Sequence, residues 1–403
     1  MMRRLVTPRL TVAASLLVAF TAAASLGAGE ARSEPAYSSW FRYQEDVALA
    51  WDFAEVDGDP NLVKITRKYE DTGLPQRKIF VLYPKPSSAY DVAISKILDV
   101  MEEKNVNAEF TVFNFGREDE SGRRALESAA QGGYELIFSM GSASTAWLWD
   151  NYQDGEIPVV SVCSKDPVLL GQAADYESGS GTNFAFTSLN MPIEVQMAYV
   201  FELRPDLKNL GVLVDSQNIS AVETQAKPIA EYARRRGVQV IDVNVSNPER
   251  AKEELQGLVG EAVSTMRKND PTLDNSVFWV TGSTSVFREI RAINGNSDRV
   301  PVLSVVPEVV RAGEDSAVLS IGISFESNAH LAAIYGIDVL KGERQVGELP
   351  VGIVSPPDIA INFRKAREIG LEIPFSFFES ASFVYDYEGR IVRQNGRPVE
   401  SVN

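Results

Sequence analysis

The sequence predicts an α/β chain of two doubly wound parallel-sheet lobes joined by hinge strands. Three observations carry this. From Lys78 onward, short apolar runs alternate with amphipathic stretches, and unbroken apolar runs separated by helices mark parallel strands covered on both faces. The alternation restarts at Leu210. The third strand of each half also runs into nearly the same loop. One reads Ser139-Met140-Gly141-Ser142-Ala143-Ser144, the other Val280-Thr281-Gly282-Ser283-Thr284-Ser285.

The elements follow in order. Met1–Leu10 holds Arg3, Arg4 and Arg9 and no acid, Thr11–Ala28 is small and apolar, and Gly29-Glu30-Ala31 is a small-x-small exit. That pattern predicts a cleavable secretory leader over 1–31. The apolar stretch is followed by no cysteine, so the predicted product is exported, periplasmic and not lipid-anchored. The segment 32–76 carries Trp40, Phe41, Tyr43, Trp51 and Phe53 and reads as an aromatic apron packed on a lobe. Ile79–Tyr83, Glu109–Phe113, Tyr134–Met140 and Val159–Cys163 then read as strands. Between them Tyr90–Lys104, Ser121–Gln131 and Ser144–Asn151 read as helices, and Gly132-Gly133 closes the second of these. In the second half, Leu210–Val214, Val238–Val243, Ser276–Val280 and Val302–Val306 are strands. Ala221–Arg236, Pro248–Met266 and Ser285–Ile293 are the intervening helices. Ala317–Ile323, the helix Glu326–Lys341 and Val351–Asn362 follow, where a simple tandem would stop. They are predicted to cross back and complete both lobes. The division is therefore 77–185 plus about 322–350 for lobe I, and 186–321 plus about 351–376 for lobe II. A hairpin tail over 377–403 turns at Glu388-Gly389.

Composition narrows the chemistry. The 403 residues include 39 Lys+Arg and 55 Asp+Glu, a net charge of −16, with one His and one Cys. The acidic balance argues against a nucleic-acid binder. A lone Cys163 excludes an intrachain disulfide and any multi-Cys zinc site, and a lone His330 excludes a His-rich metal centre. No cofactor or metal is predicted. His330 reads as a packing or surface residue and Cys163 as a small hydrophobe. The chain has no GxSxG elbow, no GxxxxGK[ST] loop and no HExxH. Ser178-Gly179-Ser180-Gly181 reads as a flexible loop. Binding is predicted rather than catalysis, with an exported α/β enzyme as the lesser alternative.

The paired Gly-Ser loops have two readings. Serine at a helix start caps it, and the free amides there can also hold an anion. Ligands of open α/β sheets sit beyond the carboxyl ends of the strands, so two facing lobes would place both loops on one cleft.

Several segments resemble the extracellular solute-binding proteins of bacterial ABC importers, in the branch that includes binders of aromatic amino acids. Cys163-Ser164-Lys165-Asp166-Pro167-Val168 is similar to the family's turn into Asp-Pro-Val. Glu202–Leu213 is similar to its approach to the second lobe, and Tyr335–Glu343 with Leu349-Pro350-Val351 to its crossover helix. Ile361-Asn362-Phe363 with Ala366, Gly370 and Ile373-Pro374 is similar to its ending. The order of these segments over about 75–375 is the specific part. Gly181-Thr182-Asn183 matches the start of a Gly-x-Asn-x-Thr-Gly crossing, but Ala185 and Phe186 replace its Thr-Gly.

The resemblance implies a type I periplasmic-binding fold that closes two lobes over a small polar solute, an amino acid or related carboxylate. With the paired loops it implies the contacts. Ser87, Ser88 and Tyr90 follow the first strand, and Gly141, Ser142, Ser144 and Thr145 the third. Lys165 and Asp166 follow the fourth, with Asn183 at the crossing. Asp215, Gln217 and Asn218, then Thr281, Gly282 and Ser283, come from the second lobe, and Glu308 ends its fourth strand. Hydroxyls and amides suit a carboxylate; Asp215 or Glu308 would take an ammonium; Tyr90 or Trp147 would stack on an apolar side chain. Lys165 and Asp166 have a second reading, as a surface pair. The implied partner of this monomer is an ABC permease in the inner membrane or, alternatively, a sensor kinase.

Overall fold

The computed structural model describes residues 34–56, 58–68, 73–313 and 315–399; the leader read at 1–31 lies outside them. Chain order gives seven strands first: β1 Trp51–Val56, β2 Asp59–Arg67, β3 Arg77–Tyr83, β4 Ala108–Asn114, β5 Leu136–Met140, β6 Val159–Val162 and β7 Phe184–Ala185. They form one sheet ordered β1-β2-β4-β3-β5-β6-β7. A short strand β8 (Thr187–Ser188) follows. Next come β9 Asn209–Asp215, β10 Gln239–Val245, β11 Ser276–Val280, β12 Val302–Ser304 and β13 Leu319–Gly322. After β14 (Gly352–Ile353) come β15 Asp358–Asn362, β16 Ala381–Tyr385, β17 Ile391–Gln394 and β18 Arg397–Pro398. The second sheet runs β10-β9-β11-β12-β13-β15-β16-β17-β18.

The predicted α/β class with parallel sheets is what the structure has. β3–β7 and β9–β13 are parallel throughout and repeat one order, second-first-third-fourth-fifth. This doubly wound order has its switch point between the first and third strands, where ligands of such sheets sit. Burial explains the sequence signal: every residue of β5, β6, β9 and β11 is buried. Strands covered on both faces have no polar side to show.

The chain passes between the sheets three times. β7 leads through Phe186 into β8, which pairs in parallel with β14. After β13 the chain returns through Ile323 and Ser324 to the helix Phe325–Leu340, which packs on the helix Ser88–Glu103 beside β3. After β14 it rejoins the second sheet at β15, antiparallel to β13.

Two features differ from the sequence reading. The aromatic segment is more than an apron: β1 and β2 extend the first sheet antiparallel beyond β4. Trp40, Phe41 and Trp51 are buried there, and Phe41 packs against Tyr83 with ring centroids 6.0 Å apart. The hairpin at Glu388-Gly389 forms, but it is not a separate tail. β16 pairs in parallel with β15, so the hairpin continues the second sheet.

Candidate functional site

The loops after β3, β5 and β6 and those after β9 and β11 converge on one cavity of about 660 Å³, within the size range of small-solute sites. Eight sequence-predicted residues line it: Ser87, Tyr90, Ser142 and Lys165 from the first half, and Asp215, Gln217, Asn218 and Gly282 from the second.

Lys165 reaches across it from one half to the other. The chain leaves β6 through Cys163, which adopts a left-handed φ of 52°. The Cys163 amide is fixed by donating to Asn328 Oδ1 at 2.7 Å. Ser142 Oγ then accepts from the Lys165 amide at 2.9 Å. This swings the Lys165 side chain across the cavity, where Nζ donates to Gly282 O at 3.4 Å. The Gly282 amide donates to Gln225 Oε1 at 2.8 Å. Gln225 lies in the π-helical turn Val222–Ala226, a local distortion that recurs at functional sites. Lys165 is 6% exposed, and burial lowers its pKa to about 8. The surface-pair reading of Lys165 with Asp166 is corrected. Asp166 is also buried, and its carboxylate accepts from the Val168 and Leu169 amides and from the Tyr176 hydroxyl at 2.6 Å.

Asp215 is held in place by two donors, the Gln217 amide at 2.9 Å and Ser285 Oγ at 2.7 Å. Gln217 and Asn218 reach the cavity with committed amides: Gln217 Nε2 donates to Ser246 O, and Asn218 Oδ1 caps the helix start at Ala221. Ser87 and Tyr90 hydroxyls have no partner among the described residues. Gln172 also lines the cavity, 5% exposed, and its enclosed Oε1 has no partner among the described residues.

Nine predicted residues lie outside the lining. Ser88 is exposed, one position past the residue that faces inward. Gly141 lies behind Tyr90: a Cβ there would meet the Tyr90 hydroxyl oxygen. Ser144 and Thr145 point into the sheet, donating to Leu82 O and Gly141 O. Asp166 is taken up by its turn. Asn183 Nδ2 donates to Tyr152 O and Ile157 O. Thr281 Oγ1 donates to Leu213 O and lies 3.2 Å from Ser283 Oγ, which accepts from the Asp215 amide. Glu308 accepts from the Phe325 amide at 2.6 Å, and its enclosed Oε2 has no partner among the described residues. Burial raises its carboxyl to about 8, so at neutral pH it is mostly uncharged and supplies no counter-charge for an ammonium.

The lining also holds residues the sequence did not single out: Lys85, Phe115, Arg117, Trp149, Phe287 and Phe325. Trp147 is both lining and packing, with its ring 5.2 Å from Phe115 and its Nε1 donating to Asp119.

No protein-family profile and no curated protein matches the sequence. Solved structures do. A conserved domain protein from Vibrio cholerae O1 biovar El Tor is 18% identical over 76% of this chain and 99% of its own, with a TM-score of 0.61. An ABC domain from Streptococcus pneumoniae in complex with L-Trp is also 18% identical, over 77% of this chain and 100% of its own, at 0.61. A substrate binding protein with adhesive properties from Clostridium difficile, in a ligand-free, open structure, is 18% identical over 76% and 98%, at 0.56. The chain has the type I periplasmic-binding fold. In this fold its cavity occupies the space between two matched sheets, beyond the carboxyl ends of their strands.

Proposed function

We propose that this chain is an extracytoplasmic solute-binding protein of an ABC importer. It would close its two halves over one small polar solute, an amino acid or related carboxylate, and hand it to a membrane permease. The observation that supports this best is the cavity itself. Both halves line it through equivalent loops, and Lys165 spans it to Gly282. Three chain crossings suit a hinge, because a few residues between rigid elements can absorb the rotation. The basic, apolar and small-residue start of the chain supports export. Among the described residues no helix is long and apolar enough to cross a membrane. The cavity holds cations, hydroxyls and aromatic rings, a set suited to gripping a carboxylate with an apolar body and returning it unchanged.

A thermal-shift screen of amino acids and small carboxylates tests the reading. A bound solute stabilises the folded form by RT ln(1 + [L]/Kd), about 2.7 kcal/mol at a hundredfold excess over Kd. At least one compound should raise Tm by several degrees; a flat response across both classes would contradict the proposal.

A further inference from the structure

The charges around the cavity are out of keeping with the chain that carries them. The protein is strongly acidic, with 55 Asp+Glu against 39 Lys+Arg. Elsewhere among the described residues several basic side chains lie beside acids, as in Lys64–Glu109 and Arg234–Asp242. Lys85, Arg117 and Lys165 line the cavity, and none has an ion-pair partner among the described residues. An ammonium as enclosed as that of Lys165 is costly unless an anion meets it. Its one hydrogen bond, at 3.4 Å to a neutral carbonyl, is a poor substitute.

The cations form two separate groups. Lys85 lies in the field of Arg117 and, across the cleft, of Arg288 and Asp215. Lys165 Nζ reaches Gly282 O instead, at the loop after β11. At the first group three cations face one carboxylate, and Asp215 already accepts from Gln217 and Ser285. Like charges brought together from both halves repel unless an anion sits between them. Tyr90, Trp147 and Phe287 supply apolar surface in the same cavity.

We propose that the cavity takes a dicarboxylate, with one carboxylate on Lys165, the other between Lys85 and Arg117, and a short apolar or aromatic body between them. This rests on the cavity being the solute site. It ranks a second carboxylate above an ammonium: the lining's cations, Lys85, Arg117 and Lys165, outnumber its acids, Asp150 and Asp215; Asp150 is exposed, and Glu308 lies outside the lining.

Calorimetric titration at pH 7 and low salt, with glutarate, adipate and isophthalate against L-tryptophan, L-leucine and benzoate, tests it. At least one dicarboxylate should bind tenfold or more tighter than benzoate and the amino acids. Its affinity should fall with added salt. Lys85→Gln and Arg117→Gln should each cost it about tenfold while leaving benzoate within threefold. Lys165→Met should abolish binding yet raise the Tm of the ligand-free protein, since it removes an unmatched buried charge. A lowered Tm would make Lys165 a structural cation and overturn the proposal. An amino acid that binds best, with affinity unmoved by Lys85→Gln and Arg117→Gln, would overturn it while the solute-binding reading stands. No binding by any of the six would overturn both.

Discussion

Lys165 and Glu308 are ionisable groups enclosed near the same crossing, and both predict a measurable pH dependence. Burial lowers the Lys165 pKa to about 8, below the usual 10.5. Between these values the unfolded chain holds a proton that the folded chain has lost, so this group's contribution to stability rises with pH from about 8 to 10.5. An anionic solute needs the charged form, so affinity should fall about tenfold per pH unit above 8. Binding near pH 8 should then take up protons, which calorimetry in buffers of different ionisation enthalpy reads directly. Glu308 has the opposite sign. Its folded pKa is raised to about 8 from 4.5, so the folded state keeps a proton that the unfolded state releases, and stability falls as pH rises through that window. Glu308→Gln should therefore raise Tm at pH 9 and change it little at pH 5. An equal shift at both pH values would show that ionisation is not the cause. The sequence shows the charge of both residues but not their enclosure; Glu308, for one, meets the amide of Phe325 at the start of a distant helix.

At the scale of elements, the doubly buried strands were legible and the edge strands were not. Ser276–Val280 was read with its observed bounds because its five residues are all apolar or small and all buried. β1 and β2 escaped because one face meets solvent, and Asp52, Glu55 and Lys64 interrupt the apolar pattern. The Gly-Ser loops were legible as a repeat, but which hydroxyl faces the cavity depends on helix phase. Ser142 faces it, whereas Ser144, two residues on, turns back to a strand carbonyl. Lys85 and Arg117 gave no signal, since a lone cation in a loop looks like any surface residue. Gly141 is the loop position with the least freedom. Its φ is 76°, and an added Cβ would lie 2.0 Å from the Tyr90 hydroxyl oxygen. Gly141→Ala should cost about 1–3 kcal/mol from the backbone alone and weaken solute binding by displacing Tyr90. Denaturant titration and calorimetry would measure the two effects, and an unchanged midpoint would contradict the packing described. Asn328 is the matching position at the crossings, where its Oδ1 accepts from both the Cys163 amide and Thr187 Oγ1. Asn328→Leu strands the Cys163 amide, while Thr187 Oγ1 keeps its 2.7 Å bond to Ser161 O; denaturant titration should show a loss of about 1–3 kcal/mol.

At the scale of the whole molecule, two sheets of one topology meet at a cavity neither could form alone. The acidic exterior and the cation-bearing cavity then have different roles. Net charge of one sign keeps the chain soluble, while the cavity reverses that sign where a carboxylate would sit. The single His and single Cys fit the proposed cleft of hydroxyls, cations and rings, which would hold a solute rather than transform it. Solute should also narrow the angle between the halves, visible as a smaller radius of gyration in solution scattering; an unchanged profile at saturation would speak against closure. Retention of an unaltered solute is the central claim, and native mass spectrometry after incubation with the six test compounds addresses it most directly. One added molecule per chain, released on denaturation with its mass unchanged, is expected. No retained molecule, or release of a product of different mass, would contradict it.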